Sequence, residues 1–80
     1  MNRSSIFEQL SDIFLDVMDL DDFDLQDSTS AEEVEEWDSL SHVRLVAAVE
    51  RSFKIRFSNA EIEKMQCVGD LVDSISDKLG

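Results

Sequence analysis

Seven apolar residues near the start of the chain, Ile6, Phe7, Leu10, Ile13, Phe14, Val17 and Met18, recur at intervals of one, three and four positions. A helix gathers such a spacing on a single stripe, so a helix is predicted from about Ser5 to Asp19. The period returns at the other end, where Val68, Leu71, Val72, Ile75 and Leu79 mark a last helix that ends before Gly80. A third stretch, Ser39 to about Phe53, has the same character. Val43, Val46, Val49 and Phe53 are expected to form its inner face, with Leu45 widening it.

The segments between these helices are less regular. Leu20 to Trp37 is rich in Asp, Glu and Ser, with apolar Phe23, Leu25 and Val34 scattered through it, and reads as a long loop pinned to the core at those points. A short helical turn near Ala31 to Glu35 is compatible with its lack of Gly and Pro. Lys54-Ile55-Arg56-Phe57 alternates like a strand but has no second strand to pair with. Ser58 followed by Glu61 matches a capping box, opening a short helix through Met65 with Ile62 and Met65 facing in. The fold class is therefore all-α: a small four-helix bundle of three main helices and one short one, with a long first loop.

Eighty residues suffice for one domain, 1–80, close to the lower limit for a core without metal or disulfide. The one cysteine, Cys67, excludes an intrachain disulfide and calls for no oxidising compartment. The opening Met1-Asn2-Arg3-Ser4-Ser5 runs into Glu8 and Asp12, unlike a signal peptide, and no apolar run reaches membrane-spanning length. A cytoplasmic protein with no membrane partner is expected.

Nineteen acidic residues against seven basic ones give a formal charge of −12, and no Lys or Arg lies between Arg3 and Arg44. Nucleic acid is excluded as a partner, since its binding depends on neutralising phosphates with basic groups. Such a field suits basic partner proteins, although acidity also serves solubility alone.

Trp37-Asp38-Ser39-Leu40 lies where the acidic stretch gives way to the second helix. Asp38 reads as the N-cap and Ser39 as the first helical residue, its hydroxyl outward. Free N–H groups and the positive end of the macrodipole make this a place that favours a phosphate. Asp38-Ser39-Leu40, followed by Val43, Leu45 and Val46, resembles the attachment motif of acyl carrier proteins and their peptidyl-carrier relatives. The order of first helix, acidic loop, second helix, Phe53 to Phe57 turn, Ser58 capping box and last helix extends the resemblance over nearly the whole chain.

The resemblance implies that Ser39 is the cofactor-binding residue, carrying covalent 4′-phosphopantetheine taken from coenzyme A, with acyl groups held as thioesters on the arm's thiol. It implies a carrier and not an enzyme, expected as a monomer. Its partners would be a phosphopantetheinyl transferase and the acyl-loading and acyl-transferring enzymes. An aminoacyl or peptidyl carrier is the alternative within the class, and a helical interaction module without cofactor the alternative outside it.

By helical projection Ser41, Arg44, Ala48 and Arg51 share the outer face of the second helix, where the family often has acidic side chains at the positions of Ser41, Arg44 and Arg51. That departure points to a stand-alone carrier of a specialised polyketide, hybrid peptide or surface-polysaccharide pathway more than to bulk fatty-acid synthesis. Its alternative is that the two arginines merely offset an acidic chain.

Four further features lead to no expected site. His42 lies one turn from Ser39, but no third group or nucleophile elbow accompanies it, so it belongs at the core edge or beside Trp37. Trp37 either shields the serine or closes the loop over the bundle. The aspartates from Asp19 to Asp27 suggest a calcium loop in the register Asp22, Asp24, Gln26 and Glu33, but Asp27 stands where the sharp turn needs glycine, and no metal site is expected. Cys67 sits where a helix cap belongs, a role thiols perform poorly, and reads as filler.

Overall fold

The computed structural model describes residues 2–21 and 23–79; Met1, Asp22 and Gly80 lie outside them. Four helices make up the fold: α1 (Arg3–Met18), α2 (Ser39–Phe53), α3 (Asn59–Lys64) and α4 (Val68–Leu79). The expected all-α bundle with a long first loop is thus observed. Helix α1 starts two residues earlier than its apolar stripe implies, because the Asn2 side chain accepts from the Ser5 N–H at 2.8 Å and caps it.

Helix α1 packs against both α2 and α4. Ile6, Leu10 and Phe14 from α1 meet Leu45, Val46, Val49 and Phe53 from α2 and Val68, Leu71, Val72 and Ile75 from α4. Each such fully buried side chain contributes about 1.5–3 kcal/mol relative to exposure, an essential contribution in a chain this short. The loop adds Leu25, Val34 and Trp37 to the same cluster, while Phe23 packs at its edge.

One expectation about α2 is corrected. Val43 is 61 % exposed whereas Leu45 is fully buried, so the helix is rotated from the phase chosen on sequence. A line through Val46, Val49 and Phe53 can be extended to either residue; burial in the common core selects Leu45. Ser41 and Ala48, placed on the outer face by projection, are half-buried flanks, while Arg44 and Arg51 are exposed.

The loop forms single turns, with Glu33 N–H on Ser30 O and Trp37 N–H on Val34 O, and no helix between Ala31 and Glu35. Its second half docks by backbone on α4. Val68 N–H donates to Thr29 O and Gly69 N–H to Asp27 O, both at 2.8 Å, and Ser30 pairs with Cys67 in an isolated antiparallel bridge. The first N–H groups of α4 are thus satisfied by the loop, and no capping side chain is required at Cys67. Arg3 joins the same corner, its guanidinium bonded to Asp27 at 3.1 Å and to Asp73.

Helix α3 buries no residue of its own and is held by its polar edges. Ser58 and Glu61 form the expected capping box, with Glu61 N–H on Ser58 Oγ at 3.2 Å and Ser58 N–H on Glu61 Oε1 at 2.8 Å. Lys78 from α4 pairs with Glu61 at 3.0 Å. Met65 caps the C-terminus and is buried, and Ile62 packs against the core without being fully enclosed.

Candidate functional site

Asp38 has extended backbone (φ −110°, ψ −172°), and its carboxylate accepts from the Ser41 N–H at 2.9 Å. That bond, the largest of several in the first turn, holds the Asp38 carboxyl below its ordinary value of 3.8. The helix therefore begins at a fixed point, and Ser39, its first residue, is exposed.

The two serines of this turn differ in their engagement. Ser41 Oγ donates to Glu36 O at 2.7 Å, tying the loop end to the helix. The Ser39 hydroxyl has no hydrogen-bond partner among the described residues. It opens instead onto a cleft of about 860 Å³ whose walls include Trp37, His42, Met65, Gln66 and Cys67. A hydroxyl that is exposed, unbonded and next to a roomy cleft at a helix N-terminus is suited to bear a phosphate-linked group.

Behind Ser39 lies a fixed polar chain. Trp37 is 4 % exposed, meets the Phe14 ring edge-on at 5.2 Å, and donates its Nε1–H to His42 Nδ1 at 3.1 Å. Because Nδ1 accepts, the ring proton belongs on Nε2, which donates to Ile62 O at 3.2 Å. His42 thus joins the loop end, α2 and α3. Both its nitrogens are occupied, so neither serves as a base on Ser39. Of the two roles open to Trp37, the structure gives it closure of the loop over the bundle.

Cys67 is half-buried, lines the cleft and precedes α4. The acidic loop gathers no group of three His, Cys, Asp or Glu side chains among the described residues; Asp27 is turned to Arg3, and Asp22 of the calcium register lies outside those residues. Among the described residues no helix is long and apolar enough to cross a membrane. Sequence reasoning missed Thr29, the one buried polar residue among the described residues, whose Oγ1 accepts from Gln26 N–H at 3.0 Å and shapes the loop that docks on α4.

Comparison with known proteins adds four findings. Residues 8–75 match the family model described as the phosphopantetheine attachment site. The chain is similar to the acyl carrier protein of Thermosynechococcus vestitus, 33 % identical over 99 % of this chain and 98 % of that one. It is also similar to that of Clostridium acetobutylicum, 34 % identical over 88 % and 91 %. Among solved structures, the holo acyl carrier protein from Geobacter metallireducens superposes with a TM-score of 0.86 at 41 % identity, covering 91 % of this chain and 84 % of that one.

Proposed function

The chain belongs to the phosphopantetheine-binding acyl carrier protein family, and from that premise we propose that Ser39 is its attachment residue and that residues 1–80 act as one carrier domain. The observation that carries the assignment is the Ser39 hydroxyl: exposed at the first position of α2, without a hydrogen-bond partner among the described residues, and facing the cleft. Ser41, two residues on, has its hydroxyl committed to Glu36 O.

The covalently attached phosphopantetheine supplies a thiol on a flexible arm, on which acyl groups ride as thioesters. The protein's residues have a mechanical task. Asp38 fixes where α2 begins, the helix N-terminus favours the phosphate on Ser39 Oγ, and the Trp37–His42–Ile62 chain keeps the cleft wall in place. As in its family, the protein carries and does not catalyse; a phosphopantetheinyl transferase and acyl-loading and acyl-transferring enzymes do the chemistry.

Within that role the reading favours a specialised pathway over bulk fatty-acid synthesis. It is supported by the exposed Arg44 and Arg51 on α2, a poor match for a basic enzyme surface. Incubation with coenzyme A and a broad-specificity transferase is expected to add one phosphopantetheinyl mass to the wild type and none to Ser39→Ala, read by intact-mass spectrometry. A Ser39→Ala protein that still gains the mass overturns the assignment.

A further inference from the structure

Leu40, Val43, Arg44, Ala47, Arg51 and Lys54 are all exposed. At about 100° per residue they fall on a single stripe roughly 100° wide, opposite the core-facing Leu45, Val46, Val49 and Phe53. Leu40 and Val43 are 64 % and 61 % exposed, two of the three large apolar side chains so exposed among the described residues. At its far end the stripe meets a shallow hollow of about 470 Å³, lined by Ala47, Glu50, Arg51, Lys54, Ile55 and Arg56.

Charge is concentrated here against the trend of the molecule. The chain has seven cationic side chains, and four of them, Arg44, Arg51, Lys54 and Arg56, lie on this stripe and hollow. Among the described residues none of the four makes an ion pair; those pairs are made by Arg3 and Lys78. The one carboxylate in the hollow, Glu50, accepts from the Phe57 N–H at 2.8 Å. In a chain of net charge −12, four exposed cations with no ion pair among the described residues border an apolar strip that begins beside Ser39.

We propose that this stripe is the docking surface for an enzyme whose matching surface is apolar at its centre and carries carboxylates at its rim. The proposal deepens the carrier reading and rests on it for the identity of the partner as an enzyme. Apolar contact at Leu40, Val43 and Ala47 would supply the closely packed centre, and the four cations the complementary rim that sets orientation and encounter rate. A protein suits the patch better than an anionic bilayer does. An enzyme presents carboxylates over this small area alone, whereas a charged sheet also confronts the acidic remainder of the molecule. The acidic loop and the cationic stripe give the carrier a charge asymmetry that turns the stripe, and Ser39 with it, toward such a surface.

The test uses the isotope-labelled holo protein, its arm verified by intact mass, titrated with two synthetic helical peptides. The peptides share one apolar face and differ only in bearing Glu or Lys along its flanks. The Glu peptide is expected to shift amide resonances from Leu40 to Lys54 and at Arg56. Binding should weaken about tenfold or more in Arg44→Glu/Arg51→Glu, and likewise in about 0.5 M salt. Far-ultraviolet circular dichroism of the double variant should match wild type. Ser39→Ala, which carries no arm under the proposed assignment, should bind the Glu peptide as the holo protein does, so failure of attachment and failure of docking are read separately. Unmoved α2 resonances, equal binding by the folded double variant, or equal occupation of this face by the Lys peptide overturns the proposal. So does a stripe that responds to phosphatidylglycerol vesicles and not to the Glu peptide.

Discussion

Trp37 Nε1 donates to His42 Nδ1 across 3.1 Å, and through His42 Nε2 on Ile62 O a buried indole in the loop is coupled to the short helix α3. Removing the acceptor strands an N–H on a ring that is 4 % exposed. Leaving such a donor unsatisfied costs about 1–3 kcal/mol. His42→Ala is therefore expected to lose stability on that order in urea unfolding. It should still accept phosphopantetheine from a transferase, because the imidazole does not act on Ser39. Stability equal to wild type counts against this role for His42, and a folded variant that the transferase no longer modifies shows that the imidazole does more.

The acid limb of the stability curve should depend on Asp38 and Glu61. The Ser41 N–H, for Asp38, and the Ser58 N–H followed by Lys78, for Glu61, hold their carboxyls below the ordinary 3.8 and 4.5. A lowered folded value means that the unfolded chain binds the proton more readily. The stabilisation is fully present above the ordinary values and is lost as pH falls through the lower, folded ones. Asp38→Asn, which caps as well as aspartate but does not titrate, should keep the melting temperature near neutral pH and flatten its decline below about pH 4. Asp38→Ala should lower it at every pH. An acid limb unchanged in Asp38→Asn would show that this cap contributes nothing to it.

Gly69 tests the docking of the loop on α4. A Cβ added there would lie 3.1 Å from the Asp27 carbonyl oxygen, which already accepts from the Gly69 N–H at 2.8 Å. Alanine gains up to about 1 kcal/mol in helix propensity, but overpacking against fixed backbone costs typically about 1–3 kcal/mol, and the clash wins. Gly69→Ala is expected to be less stable by about 1 kcal/mol, with faster amide exchange at Val68 and Gly69. A more stable variant would mean that the loop yields easily.

Self-repulsion from a net charge of −12 should make stability rise with salt. Between about 10 and 150 mM the screening length falls from roughly 30 to 8 Å, weakening repulsion among carboxylates around the whole molecule. The same salt weakens the ion pairs of Arg3 and Lys78, but these are largely exposed and such pairs contribute little. The melting temperature should therefore increase over this range. A constant or falling value would mean that the ion pairs dominate.

What was legible in the sequence was local. The Ser58–Glu61 capping box, the Asp38 cap and both ends of α2 depend on residues within one turn of one another, and the structure places them as the sequence implied. The phase of α2 was less secure: Val43 and Leu45 are both apolar and flank the same line, and only packing in the assembled core separates them. The caps of α4 were illegible, because they are backbone carbonyls of Asp27 and Thr29, distant along the chain, and any residue type carries a carbonyl. The ion pairs of Arg3 were illegible for the same reason, since its partners, Asp27 and Asp73, come from the loop and the last helix. At the site, the position of Ser39 could be read from its neighbours. The free state of its hydroxyl, beside the committed one of Ser41, could not.

The chain contains one tryptophan and no tyrosine, and that tryptophan is the ring wedged against Phe14, bonded to His42 and forming a wall of the cleft beside Ser39. Its near-ultraviolet absorption and fluorescence therefore come almost entirely from Trp37. The protein needs no dye: emission wavelength reports whether the loop is seated, and quenching or its relief reports what occupies the space next to Ser39. A stopped-flow trace of the unlabelled protein is a record of events at that one place.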